Sequence, residues 1–579
     1  VRDLGAVLER VRPYRRLGIA LGVATVLLVL FAPELIGHMR SSTDHFTFSD
    51  DVRVLTFAQF RLEDPELFPN NPAVDYFLTS LPEGYALLYR LLTPLFGVVA
   101  LSKGLPYVTL ATTLACLGVA AWRLAGGAAV FGALALALGS SYLLGRMTGG
   151  LPRAFAAPLL AAGTLALIEG RARVLAVVAV VAAGFYPAAA LTLGVTLALL
   201  LLMPAATRGE ARAWSLGRRI SVVALTAVFA ALVLLPAALR LRAWGSPIGP
   251  ALIHDYPEAG PFGRFQPADR APFPPLPAAA LAPLRAALVG DGAPIVPWLD
   301  ARAYAAWLAP CVAVLGVFGC AWLAWRRVDA RRFLLLPLAV ILCHTASLVL
   351  EPRLFLPERY VAYAVPVIVL VAVPATFGAV TSARVAVSAS VAVTATHDAV
   401  RNVRRLFPWF YNALIVLVLG AHGVSWAGLT VHISRADRPL FHAIAQLPSN
   451  AVIAAFPTEA SDSIPYLTRR SVFLARETHM PFHTRYTDLM RARARALIHA
   501  YFASDPAVLR HFRDTDGVTH LLVDRKQYRS RPDYFAPFDR QIARDFKAGQ
   551  ESGFAALKVE QQTAVFEAGD WALLDLRKL

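Results

Sequence analysis

LGIALGVATVLLVLFAPELIGHMRSSTDHFTFSDD, residues 17–51, joins an apolar run at about 17–36 to a polar stretch that ends in adjacent aspartates, Asp50 and Asp51. The run is long enough to cross a hydrocarbon core of about 30 Å, which takes roughly 20 apolar residues in helical form. It is too long for the apolar core of a signal peptide, and it ends in PELIGHMR rather than at a small-residue cleavage site. It reads as an uncleaved first span whose basic leading segment, VRDLGAVLERVRPYRR, lies in the cytoplasm. The aspartates then open a loop on the far side.

Similar runs recur through the first three quarters of the 579 residues. The chain is 57% hydrophobic and only 16% charged, whereas soluble domains carry roughly 25% charge. That excess defines an integral membrane protein. The runs are continuous rather than alternating, so they read as helices, which satisfy their own backbone in lipid. Net charge is +17, a balance that in a soluble chain suggests nucleic acid. Here the positive residues sit in short loops between apolar runs, where they set topology, and no aromatics interleave with them to stack bases. Nucleic acid is excluded as a partner. The four cysteines, Cys116, Cys311, Cys320 and Cys343, all fall in apolar runs without CxxC spacing and read as small buried hydrophobes.

Following the arginine-rich loops gives an α-helical polytopic membrane protein of about 11 spans, residues 1–430, with external loops 37–82 and 240–301. PEGYALLYRLLTPLFG (82–97) reads as an amphipathic interfacial helix. Residues 174–203 are interrupted by GFYP (184–187), which predicts two shorter helices meeting near the outer face. The apolar stretch 381–400 is read as non-spanning; if it spans, the tail changes sides. Residues 431–579 have ordinary soluble composition. NAVIAAFP (450–457), SVFLAR (471–476) and THLLVD (519–524) predict buried strands, and RYTDLMRARARALIHAYF (485–502) predicts a helix. The tail reads as an extracytoplasmic α/β domain.

With this topology the notable polar groups share one side: Asp50 and Asp51, Arg146 and Arg153, Tyr186, His254 and Asp255, and Arg353, Glu358 and Arg359. Two adjacent carboxylates repel, so a cation belongs beside them. Arginines at the external ends of several helices suit a phosphate at the membrane surface. A carboxylate beside such arginines suits glycosyl transfer from a lipid phosphate, with the carboxylate taking a proton from an acceptor hydroxyl. Aspartate is also a favoured helix N-cap, and VRVLTFAQF would follow it as a short helix. In RETHMPFHTRY (476–486), His479 and His483 are spaced as metal ligands on a helix would be. Pro481 between them argues against a helix, and the segment reads as packing the tail onto the membrane part.

Three features resemble the GT-C membrane glycosyltransferases, the superfamily of protein mannosyltransferases, aminoarabinose transferases and arabinofuranosyltransferases. SDD (49–51) is similar to the acidic pair in that family's first external loop. PEGYALLYRLLTPLFG followed by LLGRMTGGLPRAFAAPLL resembles its interfacial helix and third-to-fourth span junction. PRLFLPERYVAYAVPVIVL (352–370) resembles its late RY-x-x-x-x-x-P span. The resemblance, which covers about residues 15–430 in layout, implies an inverting transfer of a single sugar from a polyprenyl-phosphate donor to an external glycan, lipid or protein acceptor. The setting would be the bacterial cytoplasmic membrane and cell envelope. It places the base on Asp50, with Asp51 as partner, and donor-phosphate contacts on Arg146, Arg153, Arg353 and Arg359. Tyr186, His254, Asp255 and Glu358 are pocket candidates. No cofactor is fixed; a divalent Mg or Mn ion on Asp50 and Asp51 is left open. The WWDYG-like signature of oligosaccharyltransferases is absent, which disfavours whole-glycan transfer to asparagine. The alternatives are a non-catalytic scaffold that binds lipid-linked glycan, and a lipid or solute transporter, although no internal repeat of the transporter kind is evident.

Overall fold

The computed structural model describes residues 22–203 apart from 23, 24 and 28, then 213–264 apart from 261, then 328–350, 357–391 and 424–579. The first apolar run is helical where described and continues through residue 43. Four helices among the described residues are long and apolar enough to cross a membrane: Val98–Ala125, Leu216–Trp244, Asp329–Val349 and Glu358–Thr376. Gly127–Leu138 and Ser141–Met147, bent by 61° at a short break, make a fifth if counted as one span.

Among the described residues the expected count of about 11 spans is not confirmed. The segments at 154–168 and 174–203 form the helices Ala156–Glu169, Ala172–Phe185 and Pro187–Leu202, of 14, 14 and 16 residues. At 1.5 Å per residue each is only about 21–24 Å long, short of a hydrocarbon core. The runs at 303–324 and 408–423 lie outside the described residues. The break at GFYP is present: Tyr186 is extended between two helices, and Pro187 starts the second, where its fixed φ and missing N–H cost nothing. The 381–391 part of the ambiguous stretch continues the Glu358–Val391 helix, and 392–400 lie outside the described residues.

Side-chain spacing explains which surfaces meet lipid. The helix Leu216–Leu241 leaves Ile220, Leu225, Val228, Phe229, Leu232, Leu235 and Leu239 exposed, an apolar face suited to acyl chains. Glu83–Phe96 buries Tyr85, Tyr89 and Thr93 on one face and exposes Leu87, Leu91 and Leu95 on the other. Both sets repeat every four residues, as an amphipathic helix at an interface requires.

The tail contains a five-stranded sheet in the order β4-β3-β5-β7-β6, formed by β3 (Val452–Ala455), β4 (Ser471–Val472), β5 (His520–Asp524), β6 (Ala564–Ala568) and β7 (Trp571–Asp575). β4 and β5 flank β3 in parallel, while β7 adds antiparallel to β5 and β6 to β7. The helices Glu459–Thr468 and Thr484–Tyr501 lie in the crossovers between the parallel strands, which need such long connections.

The tail and the first loop share one hydrophobic core. β1 (Thr47–Phe48) pairs antiparallel with β2 (Val431–His432). Phe48 packs on Tyr466, and Tyr76 stacks on Tyr486 with centroids 3.8 Å apart. Asp44 pairs with Arg438 at 2.9 Å and Glu63 with Arg469 at 2.6 Å. The chain after the Leu216–Trp244 helix joins the same assembly, with Arg491 of the tail forking onto the fully buried Glu258 at 2.5 and 2.7 Å.

Candidate functional site

The doublet sits where the first loop turns into the short helix Val52–Leu55. Asp51 occupies the N-cap position, yet its side chain accepts no hydrogen bond from that helix. Its carboxylate instead pairs with Arg153, and the Asp50 carboxylate pairs with Arg53. The capping role open to these residues in sequence is therefore not the one their side chains play. The Asp50 N–H donates to Thr430 Oγ1 at 3.1 Å. Half-exposed Asp50 is held from below by Arg53, which is only 4% exposed.

Arg153 reaches Asp51 because of the turn that precedes it. Arg146 lies in the last turn of Ser141–Met147, and Arg153 lies in the 3₁₀ turn Pro152–Phe155. Between them Gly149 and Gly150 have φ of +93° and +60°, a region that β-carbon sterics disfavour. A Cβ at Gly149 would lie 3.0 Å from Val52 Cγ1, and one at Gly150 would lie 3.0 Å from both Cα and O of Ser102. The glycine pair thus seats the turn directly against the doublet. Gly150→Ala is expected to destabilise the protein by about 1–3 kcal/mol through left-handed strain and backbone crowding. The measurement is the thermal unfolding midpoint, and an unchanged midpoint would contradict the turn described here.

The other arginines gather around Tyr363, one helical turn beyond Arg359. Arg359 Nη1 donates to the Tyr363 hydroxyl at 3.2 Å, and Arg359 pairs with Glu358 at 3.2 Å. The Arg146 guanidinium lies 5.8 Å from the centroid of the Tyr363 ring and 4.9 Å from that of Tyr142. Tyr186 packs edge-on to Tyr363 at 4.9 Å. The charges of Arg359, Arg153 and Arg146 all bear on the Tyr363 phenol. Arg153 therefore links the acidic doublet to the arginine–tyrosine cluster. Two donors in this region, Arg153 Nε and the Tyr186 hydroxyl, are buried without a hydrogen-bond partner, a costly state unless an acceptor occupies the site; Arg359 Nε faces the Glu358 carboxylate.

Asp50, Asp51, Arg146, Arg153, Tyr186, Glu358 and Arg359 are thus brought into one connected region. Arg353 lies outside the described residues. His254 and Asp255 stand elsewhere: the His254 side chain is fully exposed, and the Asp255 carbonyl accepts from Arg491 of the tail at 3.0 Å. Sequence reasoning passed over Arg53, Tyr142 and Tyr363. Spacing signals were present, because Arg53 is three residues from Asp50 and Tyr363 four from Arg359, both helical neighbours.

Among the described residues no group of three His, Cys, Asp or Glu side chains converges as a metal cage. Each carboxylate of the doublet already holds a guanidinium, so the donor set as arranged does not fit a divalent ion, and no step below uses one. His479 and His483 do not meet. Nδ1 of His479 bonds Tyr534 at 3.0 Å and Nδ1 of His483 bonds Tyr76 of the first loop at 2.8 Å. Burial pushes His479 down to about 3, so it is a neutral packing residue at neutral pH.

The fold is similar to those of two solved structures. The chain is similar to the structure of ArnT from Cupriavidus metallidurans in the apo state, at 14% identity and a TM-score of 0.52, with 96% of this chain and 98% of that one covered. It is also similar to the archaeal oligosaccharyltransferase AglB from Archaeoglobus fulgidus, determined in complex with an inhibitory peptide and a dolichol-phosphate. There the identity is 10% and the TM-score 0.50, with 89% of this chain and 70% of that one covered. At such identities the likeness is one of fold. No family model matches the chain, and no curated protein matches it in sequence.

Proposed function

We propose that the chain is an inverting glycosyltransferase of the bacterial cytoplasmic membrane that moves a single sugar from a polyprenyl-phosphate donor to an acceptor on the external face. In this reading residues 1–430 hold the donor, and the domain 431–579 lies outside over the first loop. The donor phosphate sits among Arg153, Arg359 and Arg146, where the unpartnered Arg153 Nε–H and the Tyr186 hydroxyl gain an acceptor. Asp50 takes the proton of an acceptor hydroxyl. The freed oxygen attacks the anomeric carbon from the face opposite the phosphate, and the sugar–phosphate C–O bond breaks with its electron pair passing to the phosphate. The arginines balance that growing charge, and Asp51 holds Arg153 in place.

The observation that carries this reading is the set of buried, unpartnered donors beside a carboxylate doublet. The likeness to AglB, which was determined with a dolichol-phosphate, supports the class of donor. Thermal unfolding with an added polyprenyl-phosphate sugar tests it. The donor is expected to raise the midpoint of the native chain, as any ligand selective for the folded state does. Arg359→Ala is expected to lose at least tenfold in donor affinity. A donor that protects Arg359→Ala as well as the native chain would remove the arginine cluster as its site.

A further inference from the structure

The helix Ala156–Glu169 has Arg153 just before its start and Glu169 as its last residue, which puts the two about 20 Å apart along the axis. Its final turn therefore lies at the far end of the helix array from the aspartate doublet. An open cavity of about 550 Å³ is found there, lined by Arg123, Ile168, Glu169, Arg171 and Asp329. Separate elements supply these side chains. Arg123 is in the last turn of Val98–Ala125, Arg171 caps Ala172–Phe185, and Asp329 opens Val328–Phe333.

Glu169 is only 12% exposed and holds two guanidiniums at once. Its Oε1 accepts from Arg123 Nε at 2.9 Å and lies 2.8 Å from Arg123 Nη2, while its Oε2 pairs with Arg171 Nε at 3.0 Å. One carboxylate thus fixes side by side two like charges that would otherwise repel. Arg123 Nη1 and both Nη groups of Arg171 make no further ion pair or hydrogen bond among the described residues. Buried Arg332 backs the cavity: its Nη1 donates to the Ile168 carbonyl at 3.0 Å and lies 3.6 Å from Asp329. Three of these five charged side chains are positive. The neighbouring surface is apolar, with Val119 and Trp122 exposed just before Arg123, and Val174 and Val177 exposed just after Arg171.

We propose that this cavity binds the phosphate of an anionic membrane phospholipid in the leaflet opposite the doublet. The phosphate bridges Arg123 and Arg171, whose remaining N–H groups suit its oxygens. One side of the acyl region lies on Val119 and Trp122, the other on Val174 and Val177. A tryptophan beside a basic residue is common at headgroup depth, and basic pockets between membrane helices receive acidic headgroups. A zwitterionic lipid would bring an ammonium to the same arginines, so the surplus of positive charge selects an anionic one. The site is independent of the reading of Asp50 as base, and it lies too far from the doublet to share the donor phosphate.

Thermal unfolding of the full-length chain in mild detergent tests this, with titration by phosphatidylglycerol, phosphatidylcholine or inorganic phosphate. Phosphatidylglycerol is expected to raise the native midpoint until it saturates, and the other two at equal concentration are expected to leave it in place. An arginine beside an anionic lipid is worth about fivefold in affinity, so Arg123→Gln and Arg171→Gln should each raise the half-saturating concentration by about that factor. Asp329→Asn removes a carboxylate from the lining and should lower it. That variant leaves both Glu169 pairs intact, so it carries the test should an arginine variant fail to fold. Arg218→Gln removes a guanidinium stacked on Trp214, outside the cavity lining, and should titrate as the native chain does. Equal protection by phosphatidylcholine or by inorganic phosphate would overturn the anionic lipid as ligand. Cavity variants that titrate like the native chain, or a loss in Arg218→Gln as large as theirs, would overturn the cavity as its site.

Discussion

Asp50→Asn is expected to lower glycosyl transfer by about 10²–10⁴-fold, the range that a positioned general base contributes, with donor affinity nearly unchanged. The substitution keeps the size of the side chain and an oxygen for Arg53, so the loop has no steric reason to move. It removes the ability to take a proton and, with it, the negative charge that pairs with Arg53. Asp50 is the more exposed of the doublet, at 43% against 35% for Asp51, and it has one guanidinium beneath it rather than a bond into the arginine cluster. Asp51→Asn should behave differently: Arg153 loses its counter-charge, so the variant is expected to change donor KM as well as kcat. The check is steady-state transfer by detergent-purified protein, with donor concentration varied at saturating acceptor. Equal losses in kcat and kcat/KM for Asp50→Asn match a transition-state role. A rise in KM alone would move the base elsewhere.

Tyr486→Ala is expected to cost about 3–5 kcal/mol of stability, as large-to-small changes in cores do. Tyr486 is fully buried, and its hydroxyl donates to the Thr478 carbonyl at 2.6 Å. Its ring stacks on Tyr76 of the first loop and meets Trp244 edge-on at 5.7 Å. One side chain therefore joins the first loop, the end of the Leu216–Trp244 helix and the tail. Aromatic pairs contribute about 0.5–1.5 kcal/mol beyond the area they bury, and here two such contacts go with the hydroxyl bond. The measurement is denaturant or thermal unfolding, together with limited proteolysis of the first loop. Loop cleavage that is no faster than in the native chain would show that the tail does not depend on this ring for its hold.

Much of the membrane part was legible because its signals are local. The Pro and Gly of GFYP mark a helix break, and Tyr186 is extended there. The four-residue repeat of Tyr85 and Tyr89 against Leu87, Leu91 and Leu95 marks an interfacial helix, and the structure puts those sets on opposite faces. The span count was less legible, because apolarity reports burial in protein as well as in lipid. The Ala-rich Ala156–Glu169 helix is among the most enclosed, with ten of its fourteen residues buried. In the tail, β3, β4 and β5 read correctly from short apolar runs. The hairpin of β6 and β7 did not, since Glu567 interrupts the first strand and a polar helix precedes it; Gly569, with φ of +57°, was its turn signal. The site divides in the same way. The doublet and the arginines stand out as charges beside apolar runs. Arg53 does not, because nothing in EASDSIPYL shows that its Ser463 meets an arginine 410 positions earlier in the chain.

The short ladder between β1 and β2 joins residues 385 positions apart, as Thr47 and His432 show. Pairings that span so much chain form late, because loop closure must come before any contact rewards it. Thr430 reaches Asp50, and Ser463 reaches Arg53, from beyond that closure. A ribosome must therefore deliver most of the polypeptide before the tail's contacts to this loop can form, whereas the ion-pair partners Arg53 and Arg153 are already in hand.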